Sequence, residues 1–188
     1  MALQSSRVEY KLRLSNVDRG VDLDEPVHAA LHPSETLEHL TLRMLALCLL
    51  HEPGLTFGPG LSTPGAADLW AHDLTGRVTT WIECGTARTE ELRRVLSHHA
   101  GAKVACVFAG PRRRAELLAE LASGEFTHKR FGDIELWMVD PALVTALAKD
   151  TTRQRWAVTV VGDHLYVEAD GVAVDGAVER SMLVATAS

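Results

Sequence analysis

The chain has 188 residues, 46% of them hydrophobic and 23% charged, which is enough for one sizeable core and short of two comfortable domains, so residues 1–188 read as a single domain. Nineteen Lys plus Arg against 25 Asp plus Glu leave a net charge of −6, so overall charge gives no attraction to phosphate backbones or acidic membranes. Three cysteines, Cys48, Cys84 and Cys106, stand in apolar runs without CxxC spacing, which excludes a disulfide scaffold and points to reduced thiols.

The first ten residues, MALQSSRVEY, hold no apolar leader core, and the longest strictly apolar run, 44–50, is far below the ~18 residues of a membrane span. Both predict a cytoplasmic protein that does not engage a membrane.

In chain order, Val8, Tyr10, Leu12 and Leu14 alternate with Arg7, Glu9, Lys11 and Arg13, the period of a strand with one buried and one wet face. After the turn-like 15–20, a second extended stretch runs from Val21 towards Leu31, and Pro26 within it suits a sheet edge or a bulge. His32-Pro33-Ser34-Glu35 then starts a helix reaching about His51, with Pro33 in its first turn and Glu35 complementing the dipole. Its leucines cover most of its circumference, which predicts burial.

Residues 53–65 are too rich in Pro and Gly for a regular element and read as a loop. Residues 67–72 and 78–84 form two strands of a hairpin. Helix 90–99, strand 103–108, helix 112–122, strand 134–139 and helix 141–149, capped by Asp140, alternate as in a sheet covered by helices. Residues 155–161 and 164–167 flank Gly162-Asp163, a two-residue hairpin turn.

Acidic residues among apolar ones are informative, because an unpaired buried carboxylate is costly. Glu38, Asp68 and Glu83 are the three cases. With a two- or four-residue hairpin loop, Asp68 lies opposite Glu83 and Trp70 opposite Trp81; a three- or five-residue loop slips the pairing by one and parts the acids. Opposed carboxylates plus a helix glutamate make an oxygen-rich site suited to Mg²⁺ or Mn²⁺. A salt bridge from Glu83 to Arg43, Arg93 or Arg94 explains the same spacing without metal.

HPSETLE at 32–38, LRMLA at 42–46, Asp68-Leu69-Trp70, Asp73, Gly76 and Trp81-Ile82-Glu83-Cys84-Gly85 resemble the signatures of the YaeQ family over nearly the whole chain. That family resembles the PD-(D/E)xK nucleases, which implies an α/β fold: a mixed central sheet flanked by helices, restriction-endonuclease-like in its core, with an added N-terminal strand pair and a C-terminal hairpin. The resemblance puts Glu38 in the helix role, with Glu35 as the alternative, Asp68 in the PD role and Glu83 in the (D/E)xK role. These three would hold Mg²⁺ or Mn²⁺ for phosphodiester hydrolysis. Two positions depart from the nuclease pattern: Ala67 precedes Asp68, and Gly85 stands where the lysine would be. Arg94, on the following helix and read as partly buried, is the candidate replacement cation, either catalytic or a counter-ion to Glu83 or Glu38. The alternative function is a nuclease-fold binding or regulatory protein without the reaction, acting on a protein or nucleic-acid partner. For the latter, Arg112-Arg113-Arg114 is the strongest local basic patch.

Overall fold

The computed structural model describes residues 5–59 and 65–183. Residues 60–64, part of the stretch read as a loop, lie outside the described residues. The alternating N-terminal pattern forms β1 (Ser6–Asn16), with Val8, Tyr10, Leu12 and Leu14 buried. It pairs antiparallel with β2 (Val21–Leu31), the sheet edge, where Pro26 lies opposite Lys11 and its lack of an N–H is tolerated.

The long helix is α1 (Leu37–Leu50), four residues shorter at its start than Pro33 suggests. Thr36 is its N-cap, accepting the His39 N–H at 3.2 Å, so residues 32–36 stay outside the helix and Glu35 is free to turn inward. Every residue from Leu40 to Leu50 is buried.

Next come β3 (Thr56–Phe57), β4 (Leu69–His72) and β5 (Val78–Cys84) as an antiparallel meander, then α2 (Thr89–His98) and β6 (Lys103–Ala109) parallel to β5. After α3 (Pro111–Ser123) and β7 (Glu135–Val139), α4 (Pro141–Leu147) starts on the Asp140 cap, whose carboxylate accepts the Ala142 N–H. The hairpin β8 (Arg153–Val161) and β9 (His164–Ala169) is followed by β10 (Val172–Met182).

The ten strands among the described residues form one mixed sheet, in the order β2-β1-β8-β9-β10-β7-β6-β5-β4-β3. One core gathers α1 and α4 with the inward residues of β1, β8 and β9 and the Leu69, Ile82 and Cys84 side of the hairpin. A second core packs α2 and α3 against Trp81, Val104, Cys106 and Phe108 on the opposite face. Helices on both faces of a mixed sheet agree with the α/β reading. Among the described residues no helix is long and apolar enough to cross a membrane.

Candidate functional site

The hairpin sets the geometry. Five residues connect His72 to Val78, a length expected to slip the pairing. A bulge corrects it: His72 pairs with Val78 but Ala71 pairs with Thr80, leaving Thr79 as the extra residue, and Trp70 then meets Trp81 as in the even register. Regular pairing ends at Leu69–Ile82. One step further, the Asp68 N–H donates to the Ile82 carbonyl, and the Asp68 carboxylate accepts the Cys84 N–H at 2.8 Å. Gly58 holds this strand end from the other side, donating its N–H to the Asp68 carbonyl.

Glu83 alternates with Ile82 and Cys84 and so shares the Trp81 face, where the Trp81 indole N–H donates to its Oε1 at 2.6 Å. Burial pushes the Glu83 carboxyl up; against the indole, the charges of Asp68 and Glu91 push the same way, leaving it at about 8. It therefore holds a proton at neutral pH.

Asp68 is partnered from α1 instead. Its Oδ1 lies 3.4 Å from Arg43 Nε and its Oδ2 3.7 Å from His39 Nε2. Glu35 Oε1 accepts from His39 Nδ1 at 2.7 Å and from Arg43 Nη1 at 3.0 Å, and its Oε2 accepts the His32 N–H. Glu35, His39, Asp68 and Arg43 thus form a closed ring of alternating charge. The Glu35 and Arg43 side chains are fully buried, and that of His39 is 21% exposed.

His39 Nε2 also donates to the Cys84 carbonyl at 3.1 Å. Both ring nitrogens face groups that only accept, so the imidazole is doubly protonated. Burial opposes that charge, but the bonds to Asp68 and Glu35 outweigh it and raise His39 to about 9. Glu35 moves the other way: burial raises it, and His39 and Arg43 together hold it below the usual carboxylate range. Arg43 further donates to the Ala30 carbonyl at 3.2 Å and lies over the Phe57 ring at 5.1 Å.

Gly85 follows Glu83 by two residues, just past the end of β5. Its φ is +79°, and a Cβ there would come within 3.2 Å of His39 Cδ2. The ring of His39 fills the space a side chain at 85 would need.

The other candidates lie apart from this ring. Glu38 is exposed on the first turn of α1, and the glutamate that turns inward is Glu35, because the helix starts after it. Arg94 is exposed, not partly buried: α2 buries Leu92, Val95 and Leu96, and Arg94 Nη2 lies 3.6 Å from the point a Gly65 Cβ would reach. Arg112 and Arg113 pair with Glu116, and Arg114 with Glu179. Cys48, Cys84 and Cys106 are buried free thiols, all pushed up by burial. The sequence reading missed His39 altogether. The acid, imidazole and guanidinium at 35, 39 and 43, four residues apart, were the available signal.

The donor set does not fit a divalent cation. Both Asp68 oxygens are engaged, Glu35 is locked between two cations, and Glu83 turns to the Trp81 face, where it accepts the indole N–H. Among the described residues no group of three or more His, Cys, Asp and Glu side chains gathers as a metal site.

A family model for the YaeQ protein matches residues 1–177. The chain belongs to the YaeQ family. It is 27% identical over 154 residues to the uncharacterized protein YaeQ of Escherichia coli (strain K12), covering 80% of this chain and 82% of that one. To the uncharacterized protein YaeQ of Salmonella typhi it is 25% identical over 153 residues, covering 81% and 82%. The crystal structure of YaeQ protein from Pseudomonas syringae superposes with a TM-score of 0.80 at 26% identity, over 94% of this chain and 95% of that one. The YaeQ protein from Xanthomonas axonopodis pv. citri, 24% identical over 96% and 100% of the two chains, shares the fold with a TM-score of 0.83.

Proposed function

We propose that this YaeQ-family chain is a nuclease-fold binding or regulatory protein that does not hydrolyse phosphodiesters. The restriction-endonuclease-like core is supported by the run α1, meander β3-β4-β5, α2 and parallel β6, with Asp68 and Glu83 at the paired ends of β4 and β5. The observation that carries the loss of reaction is the charge-closed ring of Glu35, His39, Asp68 and Arg43. Two carboxylates already neutralised by two cations have little attraction left for a metal ion. A protein partner suits the net charge of −6 better than nucleic acid, since the three arginines of α3 are already paired with glutamates.

A second reading, a Mg²⁺- or Mn²⁺-dependent phosphodiesterase using Glu38, Asp68 and Glu83 with Arg94 as cation, is favoured by one observation. Glu83 keeps a proton that a metal would displace, as carboxylates near a cation site do. Incubation with single- and double-stranded DNA and RNA in Mg²⁺ or Mn²⁺ decides between them. No cleavage by the wild-type chain supports the binding protein; cleavage abolished by Glu83→Gln establishes the phosphodiesterase.

A further inference from the structure

We infer that Arg43 and His39 stand in for a divalent cation in this chain, one guanidinium and one imidazolium supplying from α1 the two positive charges that a metal ion would bring to the carboxylates. The inference rests on the reading above that the site is closed to metal, and adds what closes it.

Three observations carry it. The charges balance: Glu35 and Asp68 against Arg43 and His39, each acid in contact with both cations. Of the two cations, Arg43 is a permanent part of the core: it is fully buried over the Phe57 ring, and a guanidinium keeps its proton at any physiological pH. Finally, the backbone is shaped for the arrangement. Gly85, in the left-handed region, leaves free the volume His39 occupies, and the Cys84 carbonyl and N–H hold His39 and Asp68 in turn. A lysine at 85 and an imidazole at 39 would compete for one space.

The consequence is that removing one of the cations exposes a carboxylate pair able to take up a metal ion. Two Arg43 nitrogens, Nε and Nη2, make no hydrogen bond among the described residues, so the side chain is held by the Nη1 bonds to Glu35 and the Ala30 carbonyl and by charge contact with Asp68. Replacing it with an unbranched, uncharged and shorter side chain leaves Asp68 and Glu35 facing a volume once filled by a cation.

The test is calorimetric titration of the full chain with Mn²⁺, comparing wild type with Arg43→Met and His39→Gln. The expected result is no saturable binding by wild type and at least a tenfold gain in affinity in the variants, abolished when Asp68→Asn is added. His39→Gln keeps the fold testable if Arg43→Met does not fold, because His39 is partly exposed and Gln can still donate to the Cys84 carbonyl. Absence of any gain in the variants that fold overturns the inference and leaves the binding-protein reading in place. Saturable Mn²⁺ binding by wild type, lost in Asp68→Asn, overturns that reading instead.

Discussion

The imidazole of His39 and the bare Cα of Gly85 are complementary halves of one contact: the ring carbon Cδ2 lies 3.2 Å from where a Cβ on residue 85 would begin. The Gly85 φ of +79° adds a backbone preference to that steric one. Gly85→Ala should therefore lose ~1–2 kcal/mol from the left-handed backbone alone, and more from crowding His39. In a His39→Ala background the crowding disappears, so the cost should fall to the backbone share. A double-mutant cycle by urea denaturation measures the difference; additive costs would mean that the two residues are independent.

Arg43→Met should be among the most destabilising single changes at the site. Removing one partner of a fully buried ion pair leaves Glu35 and Asp68 short of a counter-charge, a loss of about 3–5 kcal/mol. Arg94→Ala, at an exposed position, should change stability by less than about 0.5 kcal/mol. Denaturation midpoints of the two variants check the contrast.

Stability should fall as pH rises through the neutral range. His39 is raised from 6.5 to about 9, so its contribution is complete below pH 6.5 and lost as pH climbs through 9, on the order of 3 kcal/mol in all. Glu83, raised from 4.5 to about 8, acts with the same sign, since ionising it in place costs stability from pH 4.5 upward. Glu35 is lowered, so its share is present above pH 4.5 and lost only on acidification below that. Melting temperature measured from pH 5 to 10 should decline. His39→Gln should flatten the slope between 6.5 and 9, and Glu83→Gln the part between 4.5 and 8.

Gly58→Ala tests how Asp68 is held. A Cβ at 58 would sit 1.9 Å from the Ala67 carbonyl oxygen, a backbone atom that cannot rotate away. The bond from Gly58 N–H to the Asp68 carbonyl would break with it, at a cost on the order of 3 kcal/mol. The Arg43→Met loss should shrink in this background, because Asp68 would no longer be fixed beside the guanidinium.

Much of this was legible in the sequence wherever one period dominated. The alternation through Val8 to Leu14 names both the strand and its buried face, and Pro26 narrows β2 to an edge or a bulge, of which the fold takes the edge. β10 was not legible. Only Gly176 and Val178 are buried along it, and Gly176 is there because Asp140 and Leu143 of the α4 end lie where its Cβ would go. At the site, the acids on the strands could be read from their apolar neighbours. The choice between Glu35 and Glu38 could not, because it turns on the helix starting at Leu37, which Thr36 decides by capping and Pro33 obscures. The bulge at Thr79 was equally hidden, since loop length alone leaves the choice between even and slipped register open.

β10 also dictates an order of assembly. Its first half, through Ala177, pairs with β9, and from Val178 onward it pairs with β7, so one late strand stitches together two half-sheets. On the ribosome both halves must wait for it, each presenting an open edge of unpaired amides, β9 on one side and β7 on the other. Until residues 172–182 have emerged, the nascent chain carries two templates for pairing with other chains, and sheltering those edges falls to whatever meets the polypeptide before β10 arrives.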